Sequence, residues 1–208
     1  IKYSFFKSSP YSHCMKKLNF LIGIHCHQPV GNFDHVFEES YQNSYLPFIE
    51  VLEKHPTVKM SLHYSGPLLD WMEKEKPEFL KKLKKMVKKG QVERLGGGYY
   101  EPSLSALPEE DAVGQIEMMN GFIKKNFGAK PEGVWLTERI WDPSMPKVLK
   151  KAGIDYTLLD DTHFYYAGLT PSQMFNYYMT EKHGSTLSVF PIHKHLRYSM
   201  PFQVPEET

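Results

Sequence analysis

The sequence predicts an α/β protein built on a mostly parallel sheet, and three observations carry that reading. Strand-like apolar stretches alternate with stretches of helical period from about residue 18 to residue 170. The strand-like stretches read as buried, as strands covered by helices do. The polar outliers fall at one place in each unit, the C-terminal end of the strand, where parallel α/β folds carry their sites. Either a (β/α) barrel or an open doubly wound sheet satisfies all three.

The elements follow in order. Leu18–His25 is apolar and reads as a buried strand. Phe37–Lys54 reads as a helix with Leu46, Ile49 and Leu52 near one face, and Val58–Ser65 as the second strand. Pro67–Lys89 is helical in two pieces broken at Pro77. In the second piece Phe79, Leu83 and Met86 face inward, while the six lysines of "KKLKKMVKK" form a solvated face rather than a nucleic-acid patch. Val92–Gly98 is the third strand. Pro108–Phe127 is the clearest helix: Pro108 suits the first turn, and Glu109, Glu110 and Asp111 suit the positive end of the dipole. Ala112, Ile116, Met119 and Ile123 make its apolar stripe, and Gly128 ends it. Val134–Glu138 reads as a fourth strand, Met145–Ala152 as a short helix, and Tyr156–Asp161 as a fifth strand. After Pro171, "YYMTEKHGSTLSVFPI" reads as two strands joined through His183-Gly184. The closing "PEET" copies the helix opening "PEED" at 108–111, which leads to the expectation that the sequence stops within a domain.

Composition bounds the function. The 208 residues suit one domain or a piece of a larger one, and 41% hydrophobic residues are enough for a sizeable core. A formal charge of +1 supplies no field that would steer the chain to nucleic acid or a membrane, and P-loop and RNA-binding signatures are missing. Cys14 and Cys26 cannot form a framework of disulfides, which points to a reduced, cytoplasmic setting. "MKKLNFLIGIHCHQP" has the outline of a signal peptide. Its apolar run, however, is short, holds Asn19 and lacks a small-residue cleavage site. Residues 1–14 are expected to be a leader outside the fold, with the domain running from 15 to 208.

Chemistry gathers at the strand ends. "GIHCHQP" carries His25 and His27, "SLHYSGP" carries His63, "RLGGGYYEP" carries Glu101, the fourth strand ends in Glu138, and "LLDD" carries Asp160 and Asp161. Alternation places His25 and His27 on one face and Cys26 on the other. His63 taken alone fits a satisfied core histidine. The glycines at 96–98 suit either a tight turn or close approach of a ligand, and Asp160 or Asp161 would also serve to cap the following helix. In "GVWLTERIWDP", Glu138 and Arg139 stand between Trp135 and Trp141. A guanidinium beside a carboxylate favours the charged form, and indoles beside charged groups suit a sugar, whose ring has an apolar face and polar hydroxyls. An ionised Glu there would attack or stabilise an anomeric carbon. The competing reading is a structural ion pair packed on Trp135.

"GIHCHQPVGNFD", "GGGYYEP" and "GVWLTERIWDP", in that order and spacing, resemble the first three motifs of glycoside hydrolase family 57, which includes α-amylases, 4-α-glucanotransferases and branching enzymes. "VFEESYQNSYLPF", "SGPLLDW" and "LRYSMPF" are similar to its 4-α-glucanotransferase branch. The resemblance implies an incomplete (β/α)7 barrel, here truncated at its C-terminal side. It also implies a retaining enzyme of α-1,4-linked glucans with Glu138 as catalytic nucleophile. His25, His27, Glu101, Trp135, Arg139 and Asp161 would bind substrate, with neither cofactor nor metal. The acid/base Asp of the family's fourth motif has no counterpart in these 208 residues. Two rival readings stay open. One is a metal-dependent deacetylase or amidohydrolase using His25, His27, His63 and Asp161. The other is an α-glucan-binding fragment without turnover.

Overall fold

The computed structural model describes residues 19–200, 202–204 and 206. The expected leader and most of "PEET" lie outside them.

Strand β1 (Gly23–Cys26) pairs in parallel with β2 (Met60–Tyr64), and β2 with β3 (Val92–Arg94). A second sheet has the order β4 (Gly133–Val134), β5 (Tyr156–Asp160), β7 (Ser185–Ile192), β6 (Tyr178–Lys182). It is mixed, because β6 and β7 form an antiparallel hairpin. His183 and Gly184, with φ of 51° and 78°, make the two-residue turn between them, as expected from the sequence. A parallel bridge from Gly96 to Val134 links the sheets, with Gly96 N donating to Gly133 O and Trp135 N donating to Gly96 O, both at 2.9 Å. The strands thus run β1 to β5 in space as in sequence. No closed barrel forms among the described residues.

Helices cover these strands. The stretch expected as one helix over 37–54 is α1 (Asp34–Ser40), a wider π turn at Tyr41–Tyr45, and α2 (Leu46–Lys54). Pro47 explains the interruption: it has no N–H, and its ring would crowd the carbonyl four residues back, so the preceding turn widens. Helices α3 (Gly66–Glu75) and α4 (Pro77–Lys88) divide at Pro77 as expected, with Phe79, Leu80, Leu83 and Met86 buried. Helix α5 (Glu109–Phe127) ends at Gly128, whose φ of 100° suits only glycine. Two short helices follow, α6 (Met145–Lys151) and α7 (Asp161–Tyr166), and then α8 (Lys194–Ser199).

The core has two lobes. Ile49, Leu62, Leu68, Leu83 and Met119 centre the first, under β1–β3. Ile116, Val134, Leu149, Ile154 and Leu187 centre the second, under β4–β7. Helix α5 serves both, and truncating Ile116 or Met119 to Ala would cost about 2–5 kcal/mol.

Several boundaries differ from the sequence reading; the second and third strands are Met60–Tyr64 and Val92–Arg94, shorter than expected. The first strand starts at Gly23, Phe20 and Leu21 are exposed, and β1 lies at the edge of its sheet among the described residues. The fourth strand is only two residues long, since the chain turns out of the sheet before Glu138. Asp161 is the first residue of α7 rather than the last of β5.

Candidate active site

Parallel register assembles the first part of the site. His25 lies opposite His63 in the β1–β2 ladder. Their side chains share one face, and their Nδ1 atoms are 2.8 Å apart. One ring must donate and the other accept, so the accepting Nδ1 carries no proton. Burial drives His25 down to about 4, helped by His27 and Arg139, and burial holds the wholly covered His63 well below its ordinary value. His27 stacks beside His25 with ring centres 6.0 Å apart, as strand alternation requires, and Cys26 turns to the first core lobe.

The glycine run brings in Glu101. A Cβ on Gly97 would lie 2.7 Å from His63 Nε2 and 3.0 Å from Trp135 O, and one on Gly98 would lie 2.8 Å from the Pro102 ring. Side chains there would push the loop off the histidines. The loop closes through Glu101 N donating to Gly98 O, with Glu101 in the left-handed region at φ 53°. Its carboxylate is 6% exposed. Oε2 meets His27 Nδ1, while Oε1 lies 3.6 Å from His25 Nδ1 and 3.5 Å from His63 Nδ1. Burial, then the charge of Glu138, pushes Glu101 up to about 7.

Glu138 stands on a 3-10 turn (Thr137–Arg139) with its side chain 78% exposed. Glu138 and Arg139 are both left-handed, at φ 52° and 55°. Four non-glycine residues among those described have positive φ, and three belong to this site. Each such residue costs about 1–3 kcal/mol, and such strain concentrates where a fold holds functional groups. Arg139 carries the turn: Nη2 is 3.8 Å from Glu138 Oε2, Nε donates to Asp160 Oδ2 at 3.1 Å, and the guanidinium lies over the Trp135 ring. His25 also stacks on Trp135, with centres 4.9 Å apart. The indole therefore ties the histidine group to the Glu138 turn. Trp141 packs against the second core lobe.

One candidate stands elsewhere than the strand-end pattern suggested. Asp161 is buried and accepts from Lys194 N, which ties α7 to the start of α8. Its neighbour Asp160 reaches Arg139, and Arg197 Nη1 lies 3.5 Å from its other oxygen. His63, readable from sequence as core, is the buried member of the histidine group. The metal-capable group among the described residues is His25, His63 and Glu101, without Asp161, so the ligand set of the deacetylase reading is not brought together. Gln28 was missed. It is buried, takes Ser65 Oγ on its backbone N–H, donates to Ser40 and Tyr45, and accepts from Asn32, which holds the loop after β1. The only signal was its place after His27.

The strand ends of this α/β fold thus bring carboxylates, imidazoles and an indole together in one cluster. The chain belongs to glycosyl hydrolase family 57, whose profile matches residues 9–207. It is 48% identical over 194 residues to a 4-alpha-glucanotransferase of Thermococcus litoralis, covering 93% of this chain and 29% of that protein. It is 48% identical over 193 residues to alpha-amylase 1 of Dictyoglomus thermophilum, covering 93% and 28%. The crystal structure of the Thermococcus litoralis 4-alpha-glucanotransferase superposes with a TM-score of 0.89 over 92% of this chain and 30% of that one. The chain thus spans about three-tenths of the length of the curated relatives it matches.

Proposed function

We propose that these residues form the nucleophile-bearing part of a retaining enzyme of α-1,4-glucans, a 4-α-glucanotransferase or α-amylase. On this reading residues 15–208 supply consecutive staves of a (β/α)7-type barrel. The observation that carries the proposal is the exposed Glu138 carboxylate, held on a strained turn whose charge is felt by the buried Glu101. Glu138 attacks the anomeric carbon as the glycosidic C–O bond breaks, and an acid supplies a proton to the leaving oxygen. A sugar hydroxyl or water then releases the glycosyl group, giving transfer or hydrolysis. His27 and Glu101 hold sugar hydroxyls, Trp135 orients His25 and Arg139, and Asp161 acts at a distance by fixing α8.

An α-glucosyl fluoride tests this, because fluoride leaves without an acid. Intact-mass measurement and peptide mapping should find one glycosyl adduct on Glu138 and none in Glu138→Gln. An adduct on Glu101 or Asp161 would overturn the assignment.

A further inference from the structure

We propose that His25 Nδ1, His63 Nδ1 and Glu101 Oε1 form a binding site for a divalent transition-metal ion of the zinc type. The three atoms come from three different segments, β1, β2 and the loop after β3, and all lie within 4.8 Å of one another. Glu101 Oε1 is buried and has no hydrogen-bond partner, although its carboxylate is 6% exposed. A carboxylate oxygen in that position has an unmet need for positive charge, and it points between the two imidazoles.

The donor set suits zinc, which takes two imidazole nitrogens and a carboxylate oxygen at about 2.0–2.2 Å; tetrahedral angles at those lengths separate ligand atoms by about 3.3–3.5 Å. The two nitrogen–oxygen separations are 3.6 and 3.5 Å. The two nitrogens, at 2.8 Å, are at hydrogen-bond distance and must open by about half an ångström. Both rings must offer Nδ1 lone pairs, so the proton that one Nδ1 lends the other moves to Nε2 of its own ring. Three protein ligands leave a fourth position for water or another oxygen. His27 on Glu101 Oε2 steadies the carboxylate from outside, the arrangement that outer partners of metal ligands adopt. The ion would take no part in the glycosyl chemistry of Glu138 and would compete with sugar hydroxyls for Glu101. The proposal stands without that reading, because binding is measured directly.

The test uses the metal alone. The chelator-stripped 208-residue chain is titrated with Co2+, and its visible d–d absorption is followed. One equivalent should produce an intense band of low coordination number that Zn2+ bleaches. Glu101→Gln and His25→Gln should each weaken Co2+ binding by about 10–100-fold or more, with unchanged far-UV dichroism, whereas His35→Ala and His195→Ala should leave it unaltered. A readout free of substitutions is the imidazole 15N spectrum, in which Zn2+ should shift Nδ1 of two of the ten histidines. No band beyond that of free cobalt, a band retained in Glu101→Gln, a band lost in His195→Ala, or shifts confined to surface histidines would each overturn the proposal.

Discussion

Glu101 should make this protein less stable as pH rises through the weakly acidic range. Its carboxyl titrates at about 7 in the fold against an ordinary 4.5, because burial and the charge of Glu138 oppose ionisation. Below pH 4.5 the group is protonated in both folded and unfolded chains, and its contribution is at its most favourable. Between 4.5 and 7 the folded chain holds the proton that the unfolded chain releases, so stability falls; above 7 the loss is complete. At about 1.36 kcal/mol per pH unit, the loss is bounded at about 3 kcal/mol. The histidines act with the opposite sign. His25, lowered from 6.5 to about 4, raises stability as pH climbs from 4 to 6.5, and the buried His63 does the same. The wild-type curve alone therefore mixes two trends. Glu101→Gln separates them, since glutamine does not titrate. Urea unfolding at half-unit steps from pH 4.5 to 8 gives the difference between wild type and variant. That difference should move against the wild type by about 2–3 kcal/mol, mostly below pH 7. A flat difference, or one that moves in favour of the wild type, would mean that Glu101 is held as a charged partner of His27, and the reasoning would be refuted.

Other outcomes follow from the same geometry. Gly97→Ala should cost about 1–3 kcal/mol by overpacking, because its Cβ would meet His63 Nε2 at 2.7 Å and backbone at 3.0 Å; a loss below about half a kcal/mol in urea unfolding would show that the loop gives way freely. His27→Ala should slow glycosylation of Glu138 while lowering stability by less than about 1 kcal/mol, since its side chain is 39% exposed; a large drop in Tm with unchanged labelling would assign His27 to folding. Exhaustive chelation should leave that labelling unchanged, and added Zn2+ should suppress it; loss on chelation with rescue by zinc would favour metal-dependent chemistry. Asp160→Asn should slow labelling by loosening Arg139 from the Glu138 turn, checked by comparing labelling rates at equal folded fraction.

The alternation of strands and helices, the break at Pro77, the stripe of α5 and the His183-Gly184 hairpin were all legible from the sequence. Each rests on local chemistry: side-chain period, a missing N–H, a backbone region open mainly to glycine. The gathering of polar side chains at the strand ends was legible too, because residues that no strand end needs for packing recur there. What the tertiary structure alone decided is which groups touch. The β1–β2 register sets His25 against His63, and nothing in either segment specifies that offset. The bareness of Gly97 lets Glu101 return to the pair, so a run readable as a plain turn is a packing requirement. Trp135 stacks on His25 and lies under the Arg139 guanidinium, contacts that its own segment does not specify. Asp160 reaches Arg139 while Asp161 accepts from Lys194 N, because the chain leaves β5 one residue earlier than the apolar pattern suggests. Sequence determined this protein's elements and its store of reactive side chains, since those follow from neighbours along the chain. The contacts, and the burial that shifts His25 and Glu101 in opposite directions, arise between segments distant in sequence, and the tertiary structure decided them.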